Sequence, residues 1–136
     1  MKAAMTAGYE VAMEKILLFQ VDAADTDVIR EIAGRMQMKV QSVPKEHFTQ
    51  TLEELVNASV PQNPYTAAGP DGSLIVMCGL EETHMDRFLK ALREKQIRSD
   101  YKAILTPTNS KWNVLRLYAE MAREKAEFEK LRGNRD

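Results

Sequence analysis

Two nearly continuous apolar runs constrain the fold of this chain more than anything else in it: one over residues 16–21, Ile-Leu-Leu-Phe-Gln-Val, and one over 73–78, Ser-Leu-Ile-Val-Met-Cys, each with a single polar residue. A strand with one face in water alternates polar and apolar residues, whereas a strand that is apolar at every position is covered on both faces. Both runs are therefore expected at the centre of a sheet with helices above and below it. Two shorter strands are expected at 39–43, polar enough for an edge and closed by Pro44, and at 101–105.

Between these runs the apolar spacing changes to that of helices. Val28, Ile29, Ile32, Ala33 and Met36 follow a turn at 22–25, with Thr26 or Asp25 as the expected N-cap. Phe48, Leu52, Leu55 and Val56 mark a second helix over 45–57, and Met85, Phe88, Leu89 and Leu92 a third. The last helix is expected from about residue 110 to 131, roughly 33 Å long. Strands alternating with helices imply a single small three-layer α/β domain with a mainly parallel four-stranded sheet, order 2-1-3-4, and a long C-terminal helix. A ferredoxin-like α+β order, 4-1-3-2, also centres the first and third strands but leaves one sheet face to a single helix. Apolar character on both faces favours the doubly wound order. The domain is expected over 14–136, preceded by an accessory segment at 1–13, with Met13 an alternative start. Pro61, Pro64, Gly69, Pro70 and Gly72 mark 58–72 as a surface loop.

A chain of 136 residues, 44% hydrophobic and 29% charged, suits one globular core and not a disordered segment. Residues 1–80 hold six Lys/Arg against ten Asp/Glu, and residues 81–136 hold thirteen against ten. The basic residues Arg123, Lys125 and Lys130 are interleaved with Glu124, Glu127 and Glu129, which argues against nucleic acid as a partner. The apolar runs are far shorter than the ~20 residues that cross a bilayer, so no membrane partner is expected. One cysteine excludes an intrachain disulfide and suits a reducing compartment, with the cytoplasm as the expected location.

In open α/β sheets ligands bind beyond the carboxyl ends of the strands. The expected edge gathers Asp22, Cys78, Gly79, His84, Thr106, Thr108 and Asn109 as a candidate ligand-binding set, with Asp25 and Glu82 nearby. The Thr106-to-Ser110 turn offers hydroxyl and amide groups at a helix start, where anions are attracted. It lacks the glycines that wrap a phosphate, and capping by Thr108 or Asn109, with Pro107 fixing the turn, explains it without a ligand. Cys78 with His84 as its base would make a thiol nucleophile, but a buried structural cysteine is the simpler account. His47 and His84 are the only histidines, and no residues have metal-ligand spacing. No catalytic residue, metal or cofactor is assigned.

The last helix is apolar on two sides, wider than one sheet face requires. Trp112, Tyr118, Met121, Phe128 and Leu131 are accordingly the candidate interface, with a second copy or another protein as partner. Pairs such as Arg123 with Glu127 support the helix end, each by a few tenths of a kcal/mol.

The run Lys102-Ala103-Ile104-Leu105-Thr106-Pro107-Thr108-Asn109-Ser110-Lys111-Trp112, with Met77-Cys78-Gly79-Leu80 and Phe88-Leu89-Lys90-Ala91-Leu92 before it, resembles the bacterial, largely clostridial family catalogued as domain of unknown function 3783. The resemblance covers the second half, from Leu74 through the last helix. Many members carry Glu-His in that helix where this chain has Glu124-Lys125, so no role of that histidine carries over. The resemblance implies a small bacterial cytoplasmic protein and supplies no mechanism. The residues themselves point to an interaction or regulatory module that self-associates through its last helix, with a small-molecule or anion sensor at the sheet edge as the alternative.

Overall fold

The computed structural model describes residues 14–133, so the accessory segment expected at 1–13 lies outside the described residues. The two apolar runs form β1 (Lys15–Phe19) and β3 (Leu74–Cys78), flanked by β2 (Lys39–Val43) and β4 (Tyr101–Ile104) in the order β2-β1-β3-β4. This is the expected order, and the ferredoxin-like alternative is not adopted. The direction of the strands needs correction. β1 is parallel to β2 and β3 to β4, but β1 and β3 are antiparallel, with Lys15 opposite Cys78 and Phe19 opposite Leu74. The sheet is mixed, two parallel pairs joined along an antiparallel seam. A strand buried on both faces has the same apolar signature in either direction, so the pattern could not report this.

Alternation along the central strands divides the core. Ile16, Leu18, Ile75 and Met77 meet α1 (Ala23–Arg35) and α3 (Glu82–Glu94) through Ile29, Ile32, Phe88 and Leu92. Leu17, Phe19, Leu74, Val76 and Cys78 meet α2 (Leu52–Val56) and α4 (Val114–Gly133) through Leu52, Leu55, Val114, Leu117 and Tyr118. Helices thus cover both sheet faces, which is why β3 tolerates five apolar residues in a row.

Three helix starts differ from expectation. Asp22, not Thr26 or Asp25, caps α1 by accepting the Asp25 N–H at 2.8 Å. The expected 45–57 helix is broken into a 3-10 turn, Lys45–His47, and the short α2, because Thr51 and Glu54 form a capping box that starts the chain afresh. α4 begins four residues later than expected, at Val114, where Asn113 Oδ1 accepts the Arg116 N–H at 2.8 Å.

The two halves repeat one another. Counterparts lie 59 positions apart through the first strand and helix of each: Lys15 and Leu74, Asp22 and Glu81, Arg35 and Glu94. Both helices end alike. Gln37 and Gln96 adopt φ of 60°, and the N–H of Met38 and of Ile97 each donate at 2.9 Å to a carbonyl five residues back, Ala33 and Leu92. This is the left-handed helix stop in which a buried side chain follows the turn. At the next helix starts the offset becomes 62 residues. There Thr51 and Asn113 bridge each other, the Leu52 N–H donates to the Trp112 carbonyl, and the Val114 N–H donates to the Gln50 carbonyl. Leu17 faces its own counterpart, Val76, across the antiparallel seam, as an approximate two-fold axis between β1 and β3 requires.

Candidate functional site

The antiparallel seam divides the ligand set proposed from sequence. β1 and β2 end at one edge of the sheet, β3 and β4 at the other, so Asp22 stands at the opposite edge from Gly79, His84, Thr106, Thr108 and Asn109. The seven residues do not form one site.

At the edge where β3 and β4 end, the polar groups are taken up by the fold. Glu14 accepts the Glu81 N–H at 2.8 Å and lies against His84 Nδ1 at 2.8 and 2.9 Å, tying the start of β1 to the start of α3. Asn109 Oδ1 accepts the Thr106 N–H and Thr106 Oγ1 accepts the Asn109 N–H, at 2.8 and 3.0 Å, while Asn109 Nδ2 donates to the Ile104 carbonyl. These reciprocal bonds close the turn before the 3-10 segment Asn109–Lys111. The side chain of Thr108 makes no capping bond.

Cys78 is fully buried against α2 and α4, and burial pushes its thiol up to about 12, with Lys15 drawing it partly back. A thiol in that state presents neither a thiolate nucleophile nor an exposed ligand contact, so its place in the candidate set is corrected to the core.

The other edge is open. A cleft of about 480 Å³ lies beyond the end of β1, lined by Gln20, Asp22, Asp25, Asp71, Arg98 and Asp100 among others. Gln20 stands at φ 58° and turns its amide onto the carbonyls of Pro70 and Gly72, at 2.6 and 2.9 Å, with the Tyr118 hydroxyl 3.2 Å away. Asp100 accepts the Ser73 N–H and hydroxyl, which holds its carboxyl below the usual carboxylate range. Ser73 and Asp100 were missed from sequence because only the antiparallel return of β3 brings them beside Asp22, and Gln20 because it read as part of the first apolar run. With four carboxylates and one guanidinium, the cleft does not favour an anion.

The candidate interface also divides. Tyr118 is buried, its hydroxyl donating to Gly72 O at 2.9 Å, and it is withdrawn from the interface. Trp112 and Met121 are half-buried against the core, and the Arg116 guanidinium lies 4.4 Å over the Trp112 ring. Phe128 and Leu131 remain 60% and 64% exposed.

Comparison with known families bears on the second half of the chain. Residues 73–128 match the family model described as Domain of unknown function (DUF3783). The similarity to that family lies in this stretch. It runs from the start of β3 into α4, which is the second of the two repeated units; the first unit, with the same order of elements, lies outside the match. Neither curated proteins nor solved structures give a significant match. Among the described residues no group of three or more His, Cys, Asp or Glu is placed to hold a metal ion, and no helix is long and apolar enough to cross a membrane.

Proposed function

We propose that the chain is a non-enzymatic interaction module that self-associates through the end of α4. The observation that carries this reading is that α4 outruns the domain it covers. Its apolar stripe starts in the core at Val114 and Leu117, passes the half-buried Met121, and continues to Phe128 and Leu131 after every neighbouring residue from Ala122 onward has become exposed. The positions 114, 117, 121, 128 and 131 share one side of the helix, interrupted for one turn by Glu124 and Lys125, and an apolar side of this kind on a projecting helix suits packing against a second helix. Arg123 pairs with Glu120 and Glu127, at 2.7 and 3.2 Å, keeping the segment helical beyond the core.

Sedimentation over a range of concentrations tests the proposal. Self-association that weakens in Phe128→Glu and disappears in Phe128→Glu with Leu131→Glu supports it; a monomer at every concentration sinks it. A second reading, a small-molecule sensor, draws on the cleft beside Asp22 and Gln20. Its carboxylates turn that reading from an anion toward a neutral or cationic ligand, and a thermal-shift panel of such compounds tests it, since ligand at a hundred times its Kd adds about 2.7 kcal/mol.

A further inference from the structure

Gln50 holds the only buried side-chain oxygen without a hydrogen-bond partner among the described residues. The residue is 4% exposed. Its amide Nε2 donates to the Ser59 carbonyl at 2.8 Å, so the amide cannot be turned over without setting oxygen against oxygen, and Oε1 is the atom left over. An acceptor buried unmet destabilises the fold, and a donor entering the site removes that penalty.

Gln50 lines a cleft of about 400 Å³ between the start of α2 and residues 59–63, with Thr49, Glu54, Val60 and Pro61 among its other walls. None of the lining residues is basic, and Glu54, which uses one carboxylate oxygen to accept the Thr51 N–H, leaves its charge there. Val60 is an exposed aliphatic residue at the rim. The 59–63 segment, which forms the other wall of the cleft, is fastened by the Gln50 bond to Ser59 and by Thr49 Oγ1 donating to the Asn63 carbonyl at 2.7 Å. The repeat adds a comparison. The counterparts of Gln50 and Glu54, 62 positions on, are Trp112 and Arg116, and there the chain's own guanidinium covers the position.

We propose that this cleft binds a small alkyl cation with N–H donors, an amine or guanidinium. It enters when the 59–63 segment swings aside and, with the segment closed back over it, donates to Gln50 Oε1, is balanced by Glu54, and lays its alkyl part against Val60 and Pro61. The site is separate from the end of α4 and does not depend on self-association.

The test is an NMR titration of the full chain with butylguanidinium, following the Gln50 side-chain amide and the backbone of residues 49–63. Butylurea serves as a probe with donors and no charge, and tetramethylammonium as one with charge and no donor. Saturable shifts with butylguanidinium, weaker ones with butylurea and none with tetramethylammonium support the site. Gln50→Leu then weakens binding roughly tenfold or more, the loss expected for one hydrogen bond to a charged group. Glu54→Gln, which keeps the capping box, weakens binding while leaving the fold intact and so covers the case in which Gln50→Leu disturbs folding. An absence of saturable shifts, an equal response to tetramethylammonium, or binding indifferent to both substitutions overturns the proposal and leaves Gln50 Oε1 a site for ordered water only.

Discussion

The two halves of the molecule share a backbone plan and differ in what they hang on it. The first puts Phe19 where the second has Cys78, Ile32 and Ala33 where the second has Ala91 and Leu92, and a five-residue helix where the second has one of twenty residues. The exchange of Ile-Ala for Ala-Leu keeps the summed volume nearly constant at a shared core, which is the kind of change a packed interior tolerates. What the fold requires is thus the caps, the left-handed helix stops and the seam. The large and small residues are free to trade sides.

The titratable groups give the widest expected difference between the halves. Burial raises both Cys78 and Tyr118 to about 12, from ordinary values of 9.0 and 10.0, while their counterparts Phe19 and Val56 do not titrate. Between pH 9 and 12 the native state keeps protons that the unfolded chain has released, so stability falls as pH rises through that window, by on the order of a few kcal/mol, most of it from the more deeply buried Cys78. It is fully present below pH 9. Urea midpoints measured against pH check this, and Cys78→Ala removes the part of the decline that starts nearest 9. A flat profile would contradict the buried placement of both groups.

Truncating the strand positions comes next. Phe19 packs edge-on to Phe48, with ring centres 5.7 Å apart, so Phe19→Ala should cost about 3–5 kcal/mol, against roughly 1 for Cys78→Ala. Equal losses would mean that the seam, and not the ring, sets the stability of that layer. Tyr118→Phe removes a hydroxyl shared among Gly72, Phe19 and Gln20 and should cost about 1 kcal/mol, together with the mutual anchoring of the 70–72 segment and α4. Hydrogen exchange at Gly72 and Ser73 should report that loosening. The smallest effect tests the repeat itself. Gln37→Gly and Gln96→Gly each relieve a side chain held at φ 60° and should each stabilise by about 0.5 kcal/mol, by similar amounts if the two stops are alike.

Much of the architecture was legible in sequence. The apolar runs at 16–19 and 74–78 named the central strands, and the spacing of Ile29, Ile32, Phe88 and Leu92 named the helices that cover them. Strand direction was not legible, because burial on both faces erases the alternation that would otherwise tie direction to a face. Nor was the repeat: from 15–38 to 74–97 only Ile16 with Ile75, Asp27 with Asp86 and Gln37 with Gln96 are identical, so the equivalence lies in backbone conformation and burial. The candidate ligand set failed as a unit for the first reason, since it assumed that all four strands end on one side. Gln50 carried no signal, because a glutamine before a helix cap is unremarkable until its oxygen is seen to lack a donor.

The strap in which Leu52 and Val114 each bond back to the opposite unit has a further consequence. Were the two units separate molecules, their pairing would depend on concentration, and any substitution near the axis would be made twice and have to suit itself. Joined in one polypeptide, each unit meets the other at a local concentration set by the connecting chain, in the millimolar range for short tethers, so the pairing persists at any dilution. Each side can also be altered alone: one unit is free to lengthen its last helix and the other to leave an oxygen waiting, without either change being copied across the axis.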